Sequence, residues 1–181
     1  VLVDKGEIRA EGKISKVVRQ YTDLMNKSEE DSANSDKKKE NDLDDSRWGT
    51  GKVLIEETKT IQKKGGAKKS IFSDADDHIR VSVTYRAQQV ISKPVFGIII
   101  QDASGVRVFE SNTKRQRIDT KKLSKNETRQ VEWVIPNCFN TGSYSISPAA
   151  ASTDGTEVYD WRDAHAGFKI RKIQQSSSVI N

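Results

Sequence analysis

Cysteine and long apolar runs are scarce in this 181-residue chain. Cys138 is the single cysteine, which excludes an internal disulfide and a cysteine-based zinc site. Because Cys138 lies beside Pro136 and Phe139, its thiol is predicted to be buried. No apolar run is long enough for a membrane-spanning helix, and no stretch has the pattern of a signal peptide. These absences favour a reducing, cytoplasmic setting.

Residues 26–46 divide the chain because they carry almost no apolar side chains. The segment has eight acidic residues and four lysines, and only Ala33 and Leu43 are apolar. Such a segment buries too little surface to offset the entropy of ordering, so we predict a flexible, disordered linker. It separates a short leader at 1–25 from residues 47–181, which are numerous enough for one domain.

Charge is distributed unevenly along the chain. Residues 47–181 hold twenty-two basic and fourteen acidic residues, a net charge of +8, whereas 27–46 carry −4 and 1–26 carry +1. An excess of positive charge favours anionic partners, although it is also typical of an ordinary soluble surface. Nucleic-acid modules interleave basic residues with stacking aromatics in known patterns, and none occurs here. We therefore predict no nucleic-acid partner.

The leader has the pattern of a hairpin followed by a helix. The apolar start Val1–Val3, the turn residues Asp4-Lys5-Gly6 and the return at Glu7–Ala10 predict a β-hairpin. After a possible cap at Ser15, apolar residues recur at helical spacing; they are Val17, Val18, Tyr21, Leu24 and Met25. Because this leader has nothing of its own to pack on, we expect it to be the end of a larger domain.

From Arg47 onward, apolar residues recur with the period of two that is typical of strands. Ile79, Val81, Val83 and Tyr85 alternate with polar residues, which predicts a half-buried strand. Similar patterns predict strands at 53–60, 95–101, 106–110, 131–135, 142–146, 158–161 and 168–170, with a loop from Ala149 after Pro148. The absence of a helical pattern and about eight short strands predict an all-β fold, an antiparallel immunoglobulin-like or jelly-roll β-sandwich.

Tyr144 in the run Gly142-Ser143-Tyr144-Ser145-Ile146 resembles the tyrosine corner of immunoglobulin-like sandwiches. In that motif the phenol bonds to nearby backbone.

Catalytic and metal-binding motifs are weak. GGAKKS at Gly65–Ser70 lacks the spacing of a phosphate-binding loop, and no helix follows it. Three aspartates precede His78 within Asp74–Asp77, but aspartate-rich turns between strands are common and the EF-hand pattern is absent. No serine lies in a nucleophile elbow. We therefore predict no enzyme activity, no cofactor and no metal site in this chain.

Several short motifs occur in an order that resembles a known family. Leu2, Gly6, Ile8 and Gly12 precede Val17-Val18-Arg19-Gln20-Tyr21. After the linker come Arg47–Gly51, Ile91–Ile98 with Asp102, Gly105, Asn112 and Thr113, then Gly142–Ile146, Tyr159-Asp160 and Phe168–Ile170. These motifs resemble the Wzt-type subunit of O-antigen polysaccharide ABC transporters. The first group resembles the C-terminal end of that subunit's ATPase domain. The second group resembles the C-terminal domain that is appended to it.

The resemblance implies that 1–25 is a remnant of an ATPase domain and that 47–181 is a non-catalytic carbohydrate-binding domain. It implies recognition of the non-reducing terminus of lipid-linked O-polysaccharide, which couples chain termination to export by a transmembrane partner subunit. ATP hydrolysis would belong to the Walker A, signature and Walker B motifs, which this chain lacks. The resemblance also implies a cytoplasmic location at the inner membrane and a homodimer made by exchange of a terminal strand, for which Gln174–Asn181 is the candidate.

The candidate sugar-binding residues come from polar strand faces and from the aromatic C-terminal region. Outward positions on one predicted strand are Arg80, Ser82 and Thr84, and those on another are Ser143, Ser145 and Ser147. Tyr159, Trp161 and His165 are expected at a pocket edge, where an aromatic face would stack on a sugar ring. Two rival functions remain: a protein-docking or regulatory sandwich that ignores glycan, and a glycan-modifying enzyme.

Overall fold

The computed structural model describes residues 1–4, 6–12, 17, 46–64 and 66–172. It divides the chain into two compact units, Val1–Trp48 and Gly49–Asn181. Apart from Val17 and Ser46, the predicted leader helix and linker lie outside the described residues, and so does the predicted exchange strand Gln174–Asn181. The three-part division into 1–25, 26–46 and 47–181 therefore stays a prediction.

The first unit contains the predicted hairpin. Strand β1 (Leu2–Asp4) pairs with β2 (Glu7–Ala10) in antiparallel register. Gly6 in the turn has φ +82°, a left-handed conformation that glycine adopts without steric cost. Strand β3 (Arg47–Trp48) also belongs to this unit.

The second unit consists of strands, and no helix occurs among its described residues. The strands are β4 (Val53–Ile61), β5 (Ile71–Phe72), β6 (His78–Ala87), β7 (Val95–Asp102), β8 (Arg107–Asn112), β9 (Thr128–Pro136), β10 (Gly142–Ala151), β11 (Val158–Arg162) and β12 (Ala166–Ile170). The predicted all-β class is confirmed.

These strands form two sheets. The β6 sheet has the order β4-β6-β9 and is antiparallel throughout. The β10 sheet is built around β10, which pairs with β7 on one side and with both β12 and β11 on the other. Strand β8 extends this sheet beyond β7, and β5 pairs with β12 in parallel. That short parallel pair departs from the antiparallel sandwich that was predicted.

The core lies between the two sheets. The predicted alternation on β6 is confirmed, because Ile79, Val81, Val83 and Tyr85 are each 0% exposed. The β10 sheet contributes Phe96, Ile98, Ile100, Ile146 and Phe168. Each such side chain contributes about 1.5–3 kcal/mol on full burial, so this shared core holds the sheets face to face.

Tyr144 makes the predicted tyrosine corner. Its hydroxyl donates to the carbonyl of Asn140 over 2.7 Å, and its ring stacks on Phe168 with centroids 5.1 Å apart. Burial raises the pKa of the phenol, so it stays a neutral donor.

Two expectations were wrong. Cys138 is exposed rather than buried, because its neighbour Phe139 takes the inward position at 4% exposure. Strand β10 also continues through Pro148 to Ala151 instead of ending in a loop. Pro148 lies between Ile146, the last residue paired with β12, and Ala149, the first paired with β11. A proline is tolerated there because the ladder on that side is already interrupted.

Candidate functional site

The first predicted group, Arg80, Ser82 and Thr84, lies on the outer face of the β6 sheet, since the residues between them are in the core. The Arg80 guanidinium pairs with the Glu132 carboxylate at 2.7 Å. The Ser82 hydroxyl is 1% exposed and accepts a hydrogen bond from the Gln130 amide over 2.5 Å. Two of the three polar groups are therefore already bonded to the neighbouring strand β9.

The second group, Ser143, Ser145 and Ser147, lies on the outer face of the β10 sheet, because Tyr144 and Ile146 face the core. Ser143 is exposed and Ser145 is half-buried. Ser147 is 1% exposed; its hydroxyl donates to the Asp163 carboxylate over 2.9 Å and accepts from the Ala164 N–H over 3.0 Å. Ser147 thus fixes the turn between β11 and β12.

The third group does not form a single edge. Tyr159 is 7% exposed in the core, where burial and then the charge of Glu157 raise the pKa of its phenol. His165 lies with Nδ1 2.9 Å from the hydroxyl of Thr58 on β4. Trp161 pairs with Ala149 across β11 and β10, so it lies on the same outer face as the serines.

Trp161 begins a row of four residues that crosses the outer face of the β10 sheet. Ala149 pairs with Trp161 and with Gly97 of β7, and Gly97 pairs with Asn112 of β8. A methyl group placed on Gly97 would lie 3.9 Å from the Ala149 Cβ and 3.7 Å from the Asn112 Cβ, which confirms that the three share this face. The row therefore has a half-buried indole at one end, a floor of small residues, and an amide at the other end.

Polar side chains border this floor. Two residues beyond Gly97 on β7, Ile99 pairs with Glu110 of β8. Two residues further, Gln101 pairs with Ser145 of β10. The Gln101 amide donates to the Gly105 carbonyl over 3.0 Å, and the Asn112 Oδ1 accepts from the Arg115 N–H over 2.7 Å. We call the surface formed by Gly97, Ala149, Asn112, Ser145 and Trp161, with the bordering Gln101 and Glu110, the outer β10 face.

Sequence reasoning found Trp161 and the serines of this face but missed Gly97, Ala149 and Asn112. The available signal was Gly97 inside a strongly apolar strand, since glycine in a strand often marks a close approach of another group. The arrangement suits a flat ligand with both apolar and polar edges: an indole stacks on C–H surface while amides and hydroxyls bond its rim.

Other kinds of site find no support in the described residues. No three histidine, cysteine, aspartate or glutamate side chains among them are grouped so that they could hold a metal ion. Within the same residues, no helix has the length and apolar character needed to cross a bilayer.

The family model of the Wzt C-terminal domain matches residues 44–180, which is more than half of the chain. The chain belongs to the Wzt C-terminal domain family. The crystal structure of the C-terminal domain of wzt is similar to it, with a TM-score of 0.62 at 18% identity over 75% of this chain and 87% of that one. At this identity the likeness shows that the Wzt C-terminal domain fold is shared.

A Niemann-Pick type C2 protein from the Japanese carpenter ant matches with a TM-score of 0.47 at 11% identity, over 68% of this chain and 96% of that one. No curated protein matches this member of the Wzt C-terminal domain family by sequence.

Proposed function

We propose that this Wzt C-terminal domain is a non-catalytic carbohydrate-binding module that holds the non-reducing terminus of a lipid-linked O-polysaccharide on the outer β10 face. The observation that carries the proposal is the row from Trp161 across Ala149 and Gly97 to Asn112. A pyranose ring has apolar C–H faces and a rim of hydroxyls, and the row offers an aromatic platform, a flat floor and an amide in that geometry.

The outer β10 face is favoured over the outer face of the β6 sheet for a physical reason. On the β6 sheet, side chains bridge neighbouring strands through the pairs Arg80–Glu132 and Arg86–Glu56. A ligand there would have to replace bonds that already exist, at a cost in free energy. On the outer β10 face, Gly97 and Ala149 are half-buried and have no polar side-chain group, so a ligand can contact them without replacing an existing side-chain bond.

In the proposed mechanism, binding of the non-reducing terminus couples termination of polysaccharide synthesis to export by an ABC transporter. The domain would act as a homodimer beside the transmembrane subunit, on the cytoplasmic side of the inner membrane. No bond is made or broken, so the mechanism needs affinity and selectivity from this chain and no catalytic group. ATP hydrolysis would be performed by an ATPase domain to which residues 1–25 would belong.

The test is a calorimetric titration of the chain with the O-polysaccharide of its own source and with one from an unrelated serotype. We expect saturable binding to the first only. Trp161→Ala should weaken it about 30-fold, as truncation of a central aromatic anchor does. Thr84→Ala, on the outer face of the β6 sheet, is the matched control and should leave affinity unchanged.

Each outcome bears on one alternative. Binding that is lost in Thr84→Ala and kept in Trp161→Ala would move the site to the β6 sheet. A folded wild-type chain that binds neither polysaccharide would favour the docking or regulatory sandwich. Release of a terminal sugar by the chain alone would indicate a glycan-modifying enzyme.

A further inference from the structure

The loop after β8 concentrates positive charge. Residues 113–122 contain five cations and one carboxylate, Asp119. The five cations are Lys114, Arg115, Arg117, Lys121 and Lys122, and none makes an ion pair within the described residues. Among the described residues elsewhere in this unit, eight basic residues do pair with carboxylates; they are Lys52, Lys59, Lys69, Arg80, Arg86, Arg107, Arg129 and Lys172.

This loop is held in one conformation by its own hydrogen bonds. The Ile118 N–H donates to the Thr113 carbonyl over 2.9 Å, and the Thr120 hydroxyl donates to the Pro94 carbonyl over 2.6 Å. The Arg129 guanidinium bonds the carbonyls of Thr120 and Lys122. Because these bonds already order the loop backbone, less entropy is lost when a ligand binds the loop.

Two loop residues also adopt left-handed backbone conformations. Arg117 has φ +57° and Lys121 has φ +54°, which long side chains seldom adopt. Such conformations cost free energy and persist where the surrounding bonds impose them, often at binding sites.

A small cavity lies between this loop and the start of β7. Its volume is about 90 Å³, which admits a small charged group, and its lining includes Lys93, Lys114 and Asp119. The Lys114 ammonium donates one hydrogen bond to the Thr153 carbonyl over 2.8 Å, and an ammonium has three hydrogens to donate. The Asp119 carboxylate accepts from the Lys121 N–H over 3.2 Å. Donors therefore remain for an anionic ligand.

The cavity adjoins the outer β10 face, because Val95 lines the cavity and lies two residues before Gly97 on β7, on the same side of the sheet. Strand β7 begins, and β8 and β10 end, at this same edge of the sheet, because β7 is antiparallel to both. Asn112 belongs to both regions: it pairs with Gly97 on the face, and its Oδ1 accepts from the Arg115 N–H of the loop. A glycan on the row Trp161–Asn112 would therefore lie next to the cavity.

We infer that the cavity with Lys93 and Lys114 is an anion subsite of the outer β10 face, and that the bound glycan carries a carboxylate or phosphate group there. This inference rests on the proposed function. The loop residues 113–122 include no aromatic side chain, which disfavours single-stranded nucleic acid as the occupant because its bases need stacking partners. Two lysines line this one cavity, which favours a discrete anionic group over a broad membrane surface.

The experiment is an NMR titration of the ¹⁵N-labelled chain with glucose and glucuronate, and with mannose and mannose 6-phosphate, at constant ionic strength. Inorganic phosphate is a separate arm that distinguishes a free anion from one carried by a sugar. We expect amide shifts in 113–122 from the two anionic sugars, with affinities about tenfold above those of their neutral counterparts. The carboxylate and phosphate arms identify which anion is preferred.

Variants in which glutamine replaces lysine test whether Lys93 and Lys114 bind the anionic group. Lys93→Gln/Lys114→Gln should weaken anionic-sugar binding about tenfold and leave neutral sugars unaffected. Lys63→Gln/Lys64→Gln, which removes the same charge from the β4–β5 connection, is the matched control and should change affinity less than about twofold. Lys93→Gln alone tests the subsite without disturbing the Lys114–Thr153 bond, and should also weaken anionic-sugar binding.

Several results would overturn the inference. Equal losses in the two double variants would show non-specific attraction. Shifts of 113–122 on phosphatidylglycerol vesicles, without any response to the anionic sugars, would assign the loop to a membrane surface. Polysaccharide binding that is lost in Trp161→Ala but unchanged in Lys93→Gln/Lys114→Gln would keep the proposed function and remove the subsite. A response to anionic sugars by a chain that binds no polysaccharide would instead remove the proposed function and, with it, the glycan subsite.

Discussion

The backbone N–H of Ile55 donates to the Asp160 carboxylate over 2.6 Å, and this bond joins the two sheets. Ile55 lies in β4 and Asp160 in β11, and they are 1% and 2% exposed. The pairing register of β4 shifts immediately after Ile55, and a bulge of this kind leaves backbone groups without a ladder partner. The buried carboxylate supplies that partner one residue before Trp161.

Replacing Asp160 should therefore destabilise the sandwich. Asp160→Ala leaves the Ile55 N–H unsatisfied in the core and should lower the free energy of unfolding by about 1–3 kcal/mol. Asp160→Asn keeps an oxygen acceptor and should cost less. Urea unfolding followed by tryptophan fluorescence measures both. Asp77→Ala, at an exposed position, is the control, and an equal midpoint for Asp160→Ala and Asp77→Ala would contradict the prediction.

Two strand glycines should respond in opposite ways to alanine. A Cβ on Gly97 would meet only ordinary contacts at 3.7 and 3.9 Å, whereas a Cβ on Gly167 would lie 2.9 Å from the Tyr144 backbone oxygen. Gly97→Ala should leave stability unchanged or raise it by about 0.5–1 kcal/mol. Gly167→Ala should lower it by about 1–3 kcal/mol. Thermal unfolding of both variants checks this, and a reversed order would refute it.

Gly97 also offers a binding test that does not depend on removing an aromatic. Gly97→Val raises the floor of the outer β10 face between Ala149 and Asn112 and should reduce affinity for the cognate polysaccharide about tenfold or more. The fold should persist, since valine is favoured in strands. Calorimetry measures the affinity, and circular dichroism checks the fold. Undiminished binding by a folded Gly97→Val chain would place the glycan elsewhere.

The core was predictable from sequence because its signal is local. Ile79 to Tyr85 alternate within a single strand, and the Tyr144 corner closes onto Asn140 only four residues away. The outer β10 face is not local: Trp161, Ala149, Gly97 and Asn112 come from four strands, and their row depends on the pairing register. Periodicity gives the face of a residue on its own strand, but it does not give the partner across the sheet.

Ser147 and Ser143 share a strand face but should differ in role. The Ser147 hydroxyl bonds both Asp163 and the N–H of Ala164, a residue with φ +46°, whereas Ser143 is exposed. Ser147→Ala should lower the free energy of unfolding by about 0.5–1.5 kcal/mol, because the half-buried Asp163 carboxylate and the Ala164 N–H lose the buried hydroxyl that bonds them. Ser143→Ala should change it by less than about 0.5 kcal/mol. Guanidinium unfolding compares them, and equal effects would show that the turn does not depend on Ser147.

Asp154, next to the cavity residue Thr153, gives a test by pH. Hydrogen bonds from the Ser152 hydroxyl, then from the N–H and hydroxyl of Thr156, lower the pKa of its carboxyl to about 2. A depressed folded-state pKa contributes stability above the unfolded value of about 3.9, and this contribution is lost as pH falls through about 2. ¹³C NMR titration of the carboxyl in the folded chain should give a midpoint near 2.

Substitution separates the causes of that pKa. Ser152→Ala removes the largest one and should move the midpoint upward toward the ordinary value of 3.8, whereas Thr156→Val removes only a hydroxyl and should move it less. A wild-type midpoint near 4, unchanged in Ser152→Ala, would mean that these bonds do not persist in solution. Because the carboxyl would stay ionised at every pH above about 4, loss of glycan affinity between pH 7 and 5 would have to arise from another group.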